Sequence, residues 1–146
     1  MSATPRQVTE AAGYRILVVE DTADVRALVR IVLEDEGYEV IEAGDGISAV
    51  ELALSERPDA VIMDMSLPGL DGHAATKLIR RERALRDVPV IACTALNRWE
   101  WRGKSIVAGC DAFLTKPINF GQLLILLSEL LNRGGKRLGA RGSTGA

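Results

Sequence analysis

Aromatic residues are scarce: they make up 4% of the 146 residues, with two each of Trp, Tyr and Phe. The core must therefore be aliphatic. There are only two cysteines, Cys93 and Cys110, and their spacing matches neither a metal knuckle nor a redox pair. They read as small apolar residues in a chain without structural disulfides. The single histidine, His73, excludes a multi-histidine metal centre and reads as a solvated helix-start residue. No stretch approaches the roughly 18 consecutive apolar residues of a membrane span. Residues 1–8 lack the apolar segment of a secretory signal. Charge of one sign is also missing: the formal net charge is −2, which argues against a nucleic-acid binder that is basic throughout. What is present, 47% apolar and 26% charged residues, predicts one soluble, cytoplasmic domain.

The near-zero charge is a cancellation. Arg133, Lys136, Arg137 and Arg141 lie in a tail, 133–146, that has five glycines and no acid. Without them, 14 basic face 20 acidic residues, a net of −6 for 1–132. The composition predicts a flexible segment at 1–13, a folded body at 14–132 and a disordered basic tail.

Short apolar runs alternate with amphipathic stretches. Strands are predicted at 14–20, 39–43, 59–64, 88–93 and 111–115. Helices are predicted at 24–36, 47–56, 72–83, 98–108 and 119–131. Gly37, Pro58 and Gly109 act as stops, and Asn119 with Gln122 gives a capping-box spacing. Expected inward residues include Val25, Leu28, Val29, Val32 and Leu33 on the first helix, and Val50 and Leu54 on the second. Ala75, Leu78 and Ile79 are expected inward on the third. The strands are near-continuous apolar runs, as in a sheet covered on both faces. Right-handed crossovers then give a doubly wound α/β domain with a five-stranded parallel sheet.

Such folds bind ligands beyond the carboxyl ends of their strands. The residues there are Glu20 and Asp21, Ala43 to Asp45, Asp64, Thr94 and Lys116. Taken singly, each is an ordinary cap, turn or surface charge. Together, three converging carboxylates require a cation, and an oxygen-only donor set suits Mg2+. Lys116 adds a fixed positive charge and Thr94 a hydroxyl, the complement of a phosphoryl group. A central Asp can serve as a nucleophile and form an acyl phosphate.

These residues resemble the receiver domain of two-component response regulators. The resemblance covers about 14–132. It rests on ILVVED at 16–21, VIMDMSLPGLDG at 61–72, Thr94-Ala95 and GCDAFLTKPI at 109–118. It implies a flavodoxin-like (βα)5 fold, with Asp64 as phosphoacceptor for a histidine kinase or His-containing phosphotransfer protein. It implies Mg2+ held by Asp21, Asp64 and the backbone carbonyl of Ser66, with Glu20 acting mostly through water. Lys116 would pair with the phosphoryl oxygens, and Pro117 would be a cis-proline. Thr94 would move towards the phosphoryl group while Phe113 turns inward. Family members commonly have Tyr at that position, and Phe113 has no hydroxyl to offer a partner. Ser66 and Leu96 stand where the family modulates acyl-phosphate lifetime. Neither readily orients a water, so self-dephosphorylation is expected to be slow to moderate, without other enzymatic activity.

Three features lie outside the shared pattern. Trp99 and Trp101 are two residues apart, so on a helix they point in different directions. Ile125 falls away from the apolar face made by Phe120, Leu123, Leu124, Leu127, Leu130 and Leu131. These residues suggest a partner or homodimer surface on the fourth helix, fifth strand and fifth helix. The expectation is a stand-alone switch that signals through a downstream protein target, with no DNA-binding domain and no membrane contact. The rivals are a receiver from a hybrid histidine kinase or larger regulator, a phosphorylation-independent interaction module, and a flavin carrier. The acidic, glycine-free turn at 21–24 disfavours the flavin phosphate.

Overall fold

The computed structural model describes residues 13–95 and 101–144. Five strands form one sheet: β1 (Arg15–Val19), β2 (Glu39–Ala43), β3 (Ala60–Asp64), β4 (Val90–Ala95) and β5 (Ala112–Lys116). Five helices alternate with them: α1 (Ala23–Asp35), α2 (Gly46–Glu56), α3 (Gly72–Arg81), α4 (Trp101–Ala108) and α5 (Phe120–Thr144). The strand order is β2-β1-β3-β4-β5 and every pairing is parallel. This is the doubly wound α/β architecture the alternating pattern predicts. Asp64, last residue of the central strand, lies in register with Cys93, one residue before Thr94.

Two apolar layers sandwich the sheet. One joins Ile16, Val18, Ile62 and Ile91 to Val29 and Leu33 of α1 and Leu123 and Leu127 of α5. The other joins Leu17, Val19, Val61 and Met63 to Ala49 and Ala53 of α2 and Ala75 and Ile79 of α3. The middle strand is buried along its whole length, while β2 and β5 are partly open as edges must be.

Helix ends follow local chemistry. Asp45, Asp71 and Asn119 accept from the backbone N–H three residues on, at 2.7, 2.9 and 2.9 Å. Gly37 and Gly109 leave their helices at φ +104° and +108°, which only glycine adopts without strain.

Several boundaries and faces differ from the expectation. α3 stops at Arg81, and a 3-10 turn at Arg83–Leu85 buries Leu85. The inward face of α1 is Val29 and Leu33, while Val25 and Leu28 are exposed. On α2, Ala49 and Ala53 are fully buried and Leu54 is exposed, because α2 packs so closely that small residues must face inward. Leu78 of α3 is likewise exposed. The backbone of residues 133–144 continues α5 as helix where a disordered tail is predicted. No proline interrupts that stretch, and glycine weakens a helix without forbidding it.

Candidate functional site

The site forms where β1, β3 and β5 end. β1 delivers Glu20 and Asp21, β3 delivers Asp64, and β5 delivers Lys116. The three acids present carboxylate oxygens within 4.8 Å of one another. Glu20 and Asp64 are buried and Asp21 is exposed. Lys116 Nζ bridges the two buried acids, 3.0 Å from Glu20 Oε1 and 3.1 Å from Asp64 Oδ2.

Asp64 is held asymmetrically. Its Oδ1 accepts from Ser66 N–H at 2.9 Å. Its Oδ2 is buried and, despite its proximity to Lys116, accepts no aligned hydrogen bond. That atom is therefore desolvated and held by its ion pair with Lys116. Glu20 Oε2 accepts from Thr22 N–H at 3.1 Å, folding the acidic turn back on itself.

The electrostatics are unbalanced. Burial, then the neighbouring charge of Asp64, pushes the Glu20 carboxyl above its ordinary range, and Lys116 only partly opposes this. Burial pulls the Lys116 ammonium down, but the Glu20 hydrogen bond and Asp64 charge outweigh it and raise its pKa. With all three acids ionised, one ammonium leaves two negative charges uncompensated. Oxygen-only donors, two excess charges and an unsatisfied buried Oδ2 fit a hard divalent cation such as Mg2+.

Glycine permits the close packing around Asp64. A Cβ on Gly72 would fall 2.3 Å from the Asp64 carbonyl oxygen, and one on Gly46 would fall 2.1 Å from the Leu70 carbonyl oxygen. Only bare backbone lets the loop after β3 pass between the starts of α2 and α3. The Lys116–Pro117 peptide bond is cis.

The remaining sequence-predicted residues are placed as follows. Thr94 is buried in β4, opposite Thr115. Phe113 is half-buried on β5, opposite Ala92, and packs on the α2–α3 layer. Ile125 is 62% exposed. Leu96 and Trp99 lie outside the described residues, as does the Trp101 side chain. His73 is not solvated as expected: its Nε2 lies 3.0 Å from Ser105 Oγ between α3 and α4, with 13% of its side chain exposed. Burial raises the Cys93 and Cys110 thiols to about 12 and about 11, so both stay protonated.

Sequence reasoning missed Arg26, whose Nη1 donates to the Glu20 carbonyl oxygen at 2.7 Å. The available signal was a base five residues after Asp21, beside an acidic turn.

Residues 16–128 match the response regulator receiver domain family. The chain belongs to that family. Such a receiver domain acts in phosphorylation-controlled signalling. It is 39% identical over 119 residues to the phosphate regulon transcriptional regulatory protein PhoB of Klebsiella pneumoniae. That match covers 82% of this chain and 52% of the relative, so this receiver spans about half the length of such curated relatives. It is 34% identical to the polar-differentiation response regulator DivK of Brucella anthropi, covering 80% of this chain and 94% of that protein. Among solved structures, it is similar to the receiver domain of sensor histidine kinase PA1611 from Pseudomonas aeruginosa. That structure has a TM-score of 0.77, 38% identity and coverage of 83% and 99%, and contains magnesium in its active-site cleft. Among the described residues of this receiver, no helix is long and apolar enough to cross a membrane.

Proposed function

We propose that this receiver takes a phosphoryl group on Asp64 Oδ2 from a phosphohistidine of a histidine kinase or phosphotransfer protein. The observation that carries the reading is the state of that oxygen: buried, without an aligned hydrogen bond, and 3.1 Å from Lys116 Nζ. The Ser66 N–H on Oδ1 fixes which oxygen attacks. The O–P bond forms as the donor's N–P bond breaks, and the imidazole nitrogen leaves with that electron pair.

Lys116 exchanges its contact with Asp64 for one with the incoming phosphoryl oxygens. Glu20, Asp21, Asp64 and the Ser66 carbonyl are the residues that would hold Mg2+, with Glu20 acting mostly through water. Bound there, the cation offsets the charge that accumulates on transfer. Thr94 supplies a hydroxyl to the phosphoryl group, and the half-buried Phe113 turns inward with it. Phosphorylation replaces the single carboxylate charge of Asp64 with about 1.5 to 2 negative charges and three acceptor oxygens, enough to reset contacts on the α4–β5 side of the sheet. The working unit is residues 14–132, with output through protein–protein contacts.

The test is phosphotransfer from radiolabelled histidine kinases with Mg2+, comparing the native receiver with Asp64→Asn. The native receiver should take label that is lost in EDTA, and Asp64→Asn should take at least about a hundredfold less. Equal labelling of the Asn variant refutes the assignment.

A further inference from the structure

We infer that Arg26 is a positioning residue that holds the acidic turn after β1 in cation-binding geometry. The inference rests on the reading of Glu20, Asp21 and Asp64 as a Mg2+ site. Arg26 lies in the second turn of α1 and reaches back under that turn. Its Nη1 donates to the Glu20 carbonyl oxygen at 2.7 Å, and its Nε donates to Glu42 Oε1 at 3.1 Å. The Glu20 carbonyl belongs to the same peptide plane as the Asp21 N–H, so fixing that oxygen fixes the direction in which Asp21 leaves β1.

Besides the helix-start bond from Arg26 N–H to the Thr22 carbonyl at 2.9 Å, the turn is tied by Glu20 N–H to the Ala43 carbonyl at 3.1 Å and by Thr22 N–H to Glu20 Oε2 at 3.1 Å. The last uses a carboxylate that the site itself needs. Arg26 supplies the side-chain anchor that leaves every cation-binding oxygen free. Gly44 makes room for it: a Cβ there would lie 3.3 Å from Nη1.

A guanidinium beside a cation site could instead repel the cation. The surrounding charges decide against that. Arg26 pairs with Glu42, which also takes Arg30, and Arg30 is paired with Glu34. Two arginines and two glutamates cancel, so the anchor adds almost no net field at the site. Outer groups that orient a metal's ligands change its affinity by about 10- to 100-fold.

The experiment is calorimetric Mg2+ titration of the full chain and of Arg26→Met, Arg26→Lys and Gly44→Ala. Thermal midpoints and amide exchange at Asp21 and Thr22 are measured in EDTA. Arg26→Met should weaken Mg2+ binding about tenfold and speed exchange in the turn. Arg26→Lys should recover only part, because an ammonium cannot reach both the Glu20 carbonyl and Glu42 as a fork does. Gly44→Ala, which deletes no hydrogen-bonding group, should weaken binding in the same direction. A lower midpoint with unchanged Mg2+ affinity, or tighter binding by Arg26→Met, overturns the inference. Absence of Mg2+ binding by the native chain sinks the site reading along with it, whereas equal binding by Arg26→Met sinks the Arg26 role alone.

Discussion

Glu20 shows how one residue can oppose folding for the sake of a site. It is 4% exposed, and burial and Asp64 together raise its pKa above the ordinary 4.5. A raised folded-state value means that protonating Glu20 stabilises the fold. That contribution is complete below the unfolded pKa and is lost as pH rises through the folded one. Glu20→Gln should therefore raise the metal-free thermal midpoint at pH 7. The difference from the native protein should close as the pH is lowered towards 4.5. Thermal denaturation in EDTA across pH checks this, and a variant less stable than the native protein at pH 7 contradicts it. The convergence of Glu20, Asp21, Asp64 and Lys116 was legible because each lies at or just past the end of a strand, and strand ends share one edge. Arg26 was not legible, since its target is a backbone carbonyl and no side-chain pattern announces one.

At the scale of elements, Arg80 does what the hydrophobic pattern of α3 does not reveal. From the last turn of α3 it donates to the carbonyls of Leu85, Arg86, Val88 and Gly109 and pairs with Asp111 at 2.8 Å. Asp111 in turn accepts from Val90 N–H at 2.8 Å. One guanidinium thus ties α3 to the approaches of β4 and β5, the strands carrying Thr94, Phe113 and Lys116. Arg80→Met should cost about 2–3 kcal/mol, since it leaves part-buried carbonyls unpaired, and urea denaturation measures it. A loss within about 0.5 kcal/mol, normal for a surface residue, would show that water replaces those bonds. Element order and type were readable from alternating apolar runs. The inward faces were readable only in part: Val29 and Leu33 are buried as expected, but Leu28 and Leu54, as apolar as the residues that are buried, are exposed. Only the close approach of helix to sheet selects Ala49 and Ala53 on α2.

For the whole molecule, several large apolar side chains stay on the surface. Ile125 stands 62% exposed on α5, and Ile106 and Val107 stand 62% and 79% exposed on α4. Exposed aliphatics on the helices flanking β5 in sequence are material for an association surface. We expect concentration-dependent dimers in light scattering, weakened by Ile125→Glu. A monomer at high concentration, with and without a phosphoryl mimic, removes that expectation.

By itself, the sequence determined the parallel sheet and the edge on which the chemistry lies, because apolar runs, capping residues and strand-end acids are local signals. The tertiary structure alone decided that Asp64 Oδ2 stands buried beside Lys116 and that Arg26 holds the turn from below. It alone decided that Gly72 leaves the Asp64 carbonyl room to pass. These facts are distances between residues far apart in the chain, and a distance is fixed only when packing brings strands and helices to their final separations.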